Sequence, residues 1–450
     1  MFGSGAWGAA SVQQSKLSNG SPFLAAVDSG PPRQIVTVVY ETGCKELPRG
    51  HVAAASLLEY LMLEGPVGKS NAEYRRELFL LNASISMSVA GRGVLLVVTA
   101  PPSTLKAALQ ISSELVQKPK LVEDQLQIAQ QRSISRRRAQ QQDMRFLTDL
   151  AAQRYLYPGH PDAYSCISKI SDIQGLGLEA LKSDWAVLTQ PSRRAFGTVG
   201  PMPIAAVRTL IEATLLKDSK ARYEAGAALE PATFRKPSSP SGTDVVLLEQ
   251  PEAQDNQVLY IWPHALKADT ADFATAEIAF TLLGGGFTGR LQQELREKRG
   301  LTYGAFADID DELPQYIGAS FAGGEKVARL IQELPQVYAA FVAEQQTDER
   351  IGIAKEALVT SFRESTELPL DSFLMALDAR FYGRDPNAWR GRAERWAAVT
   401  KSGLEQFIRA RMNSKPSYLI VAGDSKVLLP VLEQAGYAKE SIKTLSADEL

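Results

Sequence analysis

"GGGFTGRLQQELREKRGLTYG", residues 284–304, holds a turn, a charged helix and the entry to a strand in one stretch. Three consecutive glycines open backbone angles and close approaches barred to other residues. The run TGRLQQELREKRG reads as helix, and LTYGAFADI then alternates as a half-buried strand does. Working outward, VVLLEQ and NQVLYIWPHA read as strands ahead of an apolar helix over 272–286. The first half repeats this order: FLAAVDS, QIVTVVYETG, the helix HVAAASLLEYLMLEG over 51–65, a charged helix around NAEYRRELFLL, then alternating SISMSVAGRGVLLVVTA. The helices 51–65 and 272–286 align without a gap, and both end in glycine. Each half closes alike, with a helix near 176–184 before RRAFGTVG and one near 403–412 before SYLIVAGD. Duplication explains the pattern most economically.

Between the copies, residues 228–244 (ALEPATFRKPSSPSGTD) are rich in proline and serine and read as an exposed linker. The predicted organisation is an N-terminal half, 1–227, this linker, and a C-terminal half, 245–450. The fold class is α+β, two homologous halves with helices packed over mostly antiparallel sheets. Residues 121–157 read as one long, polar, basic helical stretch in which Arg136, Arg137 and Arg138 form a solvated face.

At 450 residues the chain exceeds one ordinary core. Acidic and basic residues nearly cancel, 51 against 49, which argues against a dominant nucleic-acid surface. No apolar run is long enough for a transmembrane anchor. The opening MFGSGAWGAASVQQSKLSNG does not read as a signal peptide, which leaves cytoplasm and periplasm both open. Cys44 and Cys166 lie far apart outside any CxxC pattern and read as two free thiols.

SLLEYLMLEG, residues 56–65, has the outline of a metal-binding helix without its ligands. A helical H-x-x-E-H sets two histidines four apart on one face, where both hold one zinc, and its glutamate works on the bound water. The corresponding positions here are Ser56, Glu59 and Tyr60, so only the glutamate is kept. His51, His160 and His264 are dispersed and form no local pair at ligand spacing; the turn YPGHP suits His160 to capping or surface exposure. GGGFTGRL has no GxxxxGK[ST] pattern and follows a helix, which disfavours a phosphate loop.

LSNG, SLLEYLMLEG, YLYPGHP at 155–161 and above all 284–304 together make the chain resemble the pitrilysin/insulinase-type (M16) metallopeptidases. The likeness covers nearly the whole chain and is nearest to small bacterial two-domain members and the subunits of mitochondrial processing peptidase. It implies a third zinc ligand, a glutamate, 76 residues after the second histidine; counted from Tyr60 this position is Arg136. A guanidinium has no lone pair to donate to a metal. All three ligand positions are therefore lost, and no metal or other cofactor is expected in this chain.

The resemblance also implies that Arg296 and Tyr303, seven residues apart, contact a substrate backbone and steady its reacting carbonyl. Arg296 pairing with Glu294 or Glu297, with Tyr303 as sheet packing, is the structural alternative. Gly284, Gly285 and Gly286 resemble the glycine-rich loop that handles substrate in the non-catalytic subunit of the processing peptidase. The function implied is that of a metal-free accessory subunit of a heterodimeric zinc peptidase. A homologous partner with an intact H-x-x-E-H would supply zinc and the general base, and peptides would be cleaved in a chamber between the two chains. Alone, the chain could associate as a homodimer. The contrasting expectation is a catalytically inert structural or interaction protein, like the core subunits of the respiratory bc1 complex.

Overall fold

The computed structural model describes residues 12–30, 32–158, 166–217, 220–225, 234–238, 242–264, 266–309, 315–381, 383–412 and 415–450. Through the first half, the order is β1 (Gln13–Lys16), β2 (Pro22–Val27), β3 (Gln34–Tyr40), α1 (Ala54–Leu61), α2 (Asn71–Leu80), β4 (Ser84–Val89), β5 (Val94–Ala100), α3 (Leu105–Gln117), α4 (Glu123–Gln140), α5 (Met144–Leu156), α6 (Ile170–Gly175), α7 (Leu178–Leu188), β6 (Arg194–Gly200) and α8 (Ile204–Thr214). The second half continues with β7 (Asp244–Glu249), β8 (Asp255–Trp262), α9 (Ala271–Gly284), a π-helix (Gln292–Lys298), β9 (Gly304–Asp308), β10 (Gln315–Gly323), α10 (Gly324–Ala343), α11 (Asp348–Glu364), α12 (Pro369–Phe381), α13 (Arg392–Ala398), α14 (Lys401–Arg411), β11 (Tyr418–Gly423), α15 (Ser425–Gln434) and β12 (Ile442–Ser446).

The two sheets have the same wiring. Their strand orders are β1-β2-β6-β3-β5-β4 and β12-β7-β11-β8-β10-β9. In each, one parallel pairing, β2 with β6 or β7 with β11, is followed by three antiparallel ones out to the edge strand β4 or β9. The copies differ only at the opposite edge, where β1 precedes its neighbour and pairs antiparallel while β12 comes last and pairs parallel. The aligned segments end differently in detail: Gly65, φ +87°, caps the 3-10 turn Met62–Glu64 that follows α1, whereas α9 is capped by the extended Gly285, and Gly286, φ +61°, opens the next turn. An α+β fold with mostly antiparallel sheets is thus what the duplicated pattern produces.

Compact units follow the chain halves only in part. One unit comprises Met1–Arg137, Tyr164–Pro231 and Arg363–Trp389; the other comprises Arg138–Ala163, Ala232–Phe362 and Arg390–Leu450. The predicted single helical stretch 121–157 is therefore two helices. Asp143 starts the second by accepting a hydrogen bond from the Phe146 amide, 3.0 Å away, and α5 packs on β7, β8 and β11 of the second unit. Conversely, α12 packs on β2 and β6 of the first unit.

This explains why the first sheet is apolar on both faces. Along β2, Phe23 and Ala25 enter the core that α1, α3 and α7 supply with Leu57, Leu58, Leu109 and Leu181. The intervening Leu24 and Ala26 face the opposite core, which α12 completes with Phe373, Ala376 and Leu377. Gly197 is needed where the Phe373 ring lies on the sheet, because a Cβ there would stand 2.3 Å from Phe373 Cζ.

Of the predicted linker, residues 228–233 and 239–241 lie outside the described residues. Its described part is fastened to the second unit rather than free: the Arg235 amide donates to the Leu156 carbonyl at 2.6 Å, and its guanidinium stacks 4.6 Å from the Tyr155 ring. The two cysteines are joined, not free. Cys44 and Cys166 form a disulfide with Cα atoms 5.6 Å apart, a pairing that a sequence separation of 122 concealed.

Candidate functional site

In the first unit, the sequence-predicted positions Glu59, Tyr60 and Arg136 meet, while Ser56 turns its hydroxyl to the Ala53 carbonyl at 3.2 Å. Arg136 on α4 donates from Nε to the Tyr60 hydroxyl at 3.2 Å, and its guanidinium lies 4.8 Å from the Tyr60 ring centroid. The Glu59 carboxylate is divided: Oε2 lies 3.4 Å from Arg136 Nη1, and Oε1 accepts from the Val89 amide of edge strand β4 at 3.0 Å. Glu59 and Arg136 are 24% and 44% exposed, so water screens the ion pair to under about 1 kcal/mol. The cation–π contact adds about 0.5–1 kcal/mol.

These residues do not fit zinc. The one carboxylate is occupied by an amide and a cation, and the guanidinium places positive charge beside it. No group of three or more His, Cys, Asp and Glu among the described residues could hold a metal ion. The described histidines serve structure instead. His51 Nδ1 lies 3.0 Å from Asp184 Oδ1, joining α7 to the turn before α1. Burial pushes the Asp184 carboxyl up, against the lowering effect of His51. His264 Nδ1 accepts from the Leu266 amide at 3.1 Å, and His160 lies outside the described residues.

The second unit carries the other set. After α9 the chain turns through Gly286–Thr288 into the π-helix, a wide helical turn uncommon in proteins and frequent at functional sites. Buried Leu291 and Leu295 root this segment, and the Gln292 side-chain carbonyl accepts from the Ala305 amide of edge strand β9 at 3.0 Å. Glu294 lies at the centre of a cation cluster, with Lys298 at 2.8 Å, Arg299 at 2.6 Å and Arg290 at 3.5 Å. The Lys298 hydrogen bond does most to hold the Glu294 carboxyl below its ordinary range, with further help from Arg299.

Arg296 has no part in that cluster. Its guanidinium lies 6.0 Å from the ring of Phe287, an aromatic residue not singled out from the sequence. Among the described residues, neither the Arg296 guanidinium nor the Tyr303 hydroxyl has a hydrogen-bond or ion-pair partner. Phe287 and Tyr303 are 75% and 76% exposed. Tyr303 is therefore not sheet packing, and Arg296 does not pair with Glu294. The signal for Phe287 was present in sequence as a large aromatic directly after three glycines, but only its exposure makes it notable.

The glycines divide by cause. A Cβ at Gly284 would stand 2.1 Å from the Ala307 amide nitrogen, and one at Gly285 2.7 Å from the Thr281 carbonyl. Close packing alone accounts for both. Gly286 has φ +61° and open space around its missing Cβ, so backbone conformation sets its identity. A cavity of about 630 Å³ in the same unit, between the loop carrying His264 and the start of α9, is lined by none of the three glycines, Arg296 or Tyr303.

Residues 177–358 match the peptidase M16 inactive domain. A non-peptidase homolog, YmxG of Helicobacter pylori, is 22% identical over 255 residues, 55% of this chain and 56% of that protein. The chain thus aligns with little more than half the length of that curated relative. Among solved structures, a peptidase M16 inactive domain from Pseudomonas fluorescens has a TM-score of 0.77 at 20% identity, covering 92% of this chain and 98% of that one. A protease from Helicobacter pylori gives 0.75 at 17%, covering 92% and 100%. The periplasmic protease PqqL of Escherichia coli gives 0.73 at 15%, covering 91% of this chain and 45% of that one. Residues 177–358 thus match the peptidase M16 inactive domain, in a chain whose described residues share the fold of solved M16 structures.

Proposed function

We propose that this chain is the metal-free subunit of a two-chain zinc peptidase, and that Arg296 and Tyr303 serve a peptide bound at the active site of its partner. The carrying observation is the contrast between the two sets of side chains. Glu59, Tyr60 and Arg136 satisfy one another, whereas Arg296 and Tyr303 have no donor partner among the described residues. A phenol hydroxyl and a guanidinium fork aimed at a scissile carbonyl would donate to negative charge as it develops. Gly286, at the turn beside them, would give the peptide room to approach. Hydrolysis belongs to the partner, a homologous pitrilysin-type chain with an intact H-x-x-E-H.

The test is reconstitution with such a partner, measuring kcat and KM for an unstructured peptide. Tyr303→Phe keeps the ring and removes one donor; a lost transition-state donor costs about 2.7–4 kcal/mol, roughly a hundredfold or more in rate. Arg296→Ala should lower kcat/KM as well, with assembly verified first. Full activity in both variants would refute the assignment. It would favour the second reading, an inert structural or interaction protein, which the description of the Helicobacter pylori relative as a non-peptidase homolog supports.

A further inference from the structure

We infer that the Cys44–Cys166 bond is a permanent structural clip and that the chain works in an oxidising compartment outside the cytoplasm. Cys44 sits just past β3 in a 3-10 turn and is 1% exposed. Its amide donates to the Ala90 carbonyl at 3.2 Å, and the preceding Gly43 fits so tightly that a Cβ would stand 2.4 Å from the Ala90 and Gly91 carbonyl oxygens. Cys166, partly buried on the same core, leads into α6. The bond therefore ties a rigid turn beside β3 to a segment 122 residues away.

Exchange chemistry needs a reachable sulfur and usually a neighbouring thiol, and this chain has neither a third cysteine nor exposure at Cys44. Catalytic and redox-sensing disulfides of the cytoplasm are reachable; a bond buried at Cys44 and half-buried at Cys166, closing a long loop, is the pattern of proteins from oxidising compartments. Its formation takes two electrons and two protons from the two thiols, and a disulfide-bearing oxidant of that compartment accepts them. On the function proposed above, the zinc-bearing partner and the peptides cleaved must reach the same compartment. The clip itself does not depend on that function.

The experiment uses the protein from cells that make it naturally, denatured in an alkylating agent without reductant. Neither cysteine should be alkylated, the intact mass should be lower than that of the reduced chain by two hydrogens, and the Cys44 and Cys166 peptides should emerge joined. Cell fractionation should place the chain outside the cytoplasm. Two labelled thiols, or recovery from the cytoplasm, would overturn the inference. Reduction of the wild type, and separately the Cys44→Ala/Cys166→Ala variant, should lower Tm by roughly 4–20 °C. An unchanged Tm on reduction, with the bond shown to be open, would refute a structural clip even where the variant fails to fold. Loss of the clip without loss of Arg296 dependence in the reconstituted peptidase would separate this inference from the functional one.

Discussion

Phe373→Ala tests whether the first sheet depends on a helix from the far end of the chain. The ring is fully buried, lies on Gly197, and shares a core with Leu24, Val39, Ala195 and Val199. Removing it deletes a buried aromatic and leaves a cavity whose floor has no side chain to collapse inward, so the cost should fall at about 3–5 kcal/mol. For a unit of roughly 200 residues this corresponds to a Tm loss of roughly 6–20 °C. Gly197→Ala makes the complementary perturbation, driving a methyl toward a ring atom 2.3 Å away, at about 1–3 kcal/mol. In the double variant the ring clash is gone although the Thr37 hydroxyl at 2.5 Å stays, so the pair should be less destabilised than the sum of the singles by about 0.5–3 kcal/mol. Calorimetry is the assay, since two units need not melt as one. Additive effects, or a Phe373→Ala loss under about 1 kcal/mol, would refute the packing of α12 on this sheet.

The glycines of 284–286 should separate by stability. Gly284→Ala, which meets the Ala307 backbone at 2.1 Å, should cost more than Gly286→Ala, which bears only a left-handed φ penalty of about 1–2 kcal/mol; urea denaturation with the reverse ranking would contradict the packing explanation. Acid should loosen the π-helix segment. Because the Glu294 carboxyl is held below its ordinary 4.5, it contributes stability that is present above that pH and lost as pH falls through its depressed value. The unfolding midpoint of Glu294→Gln should therefore fall less steeply below about pH 4.5 than that of the wild type, and equal slopes would count against the cluster.

Much of the fold was legible because helix and strand periods are local. The strand entries and the helices around 51–65 and 272–286 could be read in short windows, and their recurrence exposed the duplication. The poverty of ligands was equally legible, since positions 56 and 60 hold a serine and a tyrosine rather than histidines, and the guanidinium of Arg136 has no lone pair to donate. Phe287 was not, because an aromatic beside glycines reads the same whether it is buried or exposed.

The sequence by itself determined two similar α+β halves, with Ser56, Glu59 and Tyr60 in a helix of the first and Arg296 and Tyr303 seven residues apart in the second. Tertiary structure alone decided that α5 and α12 cover sheets built by the opposite halves, that Cys44 reaches Cys166, and that Gly284 yields its side chain to β9. It also decided that Arg136 closes on Glu59 and Tyr60 while Arg296 and Tyr303 have no side-chain partner among the described residues. The division has one physical cause. Periodicity and residue chemistry act over a few neighbours along the chain, whereas each of these pairings is selected by packing between segments that the sequence holds apart.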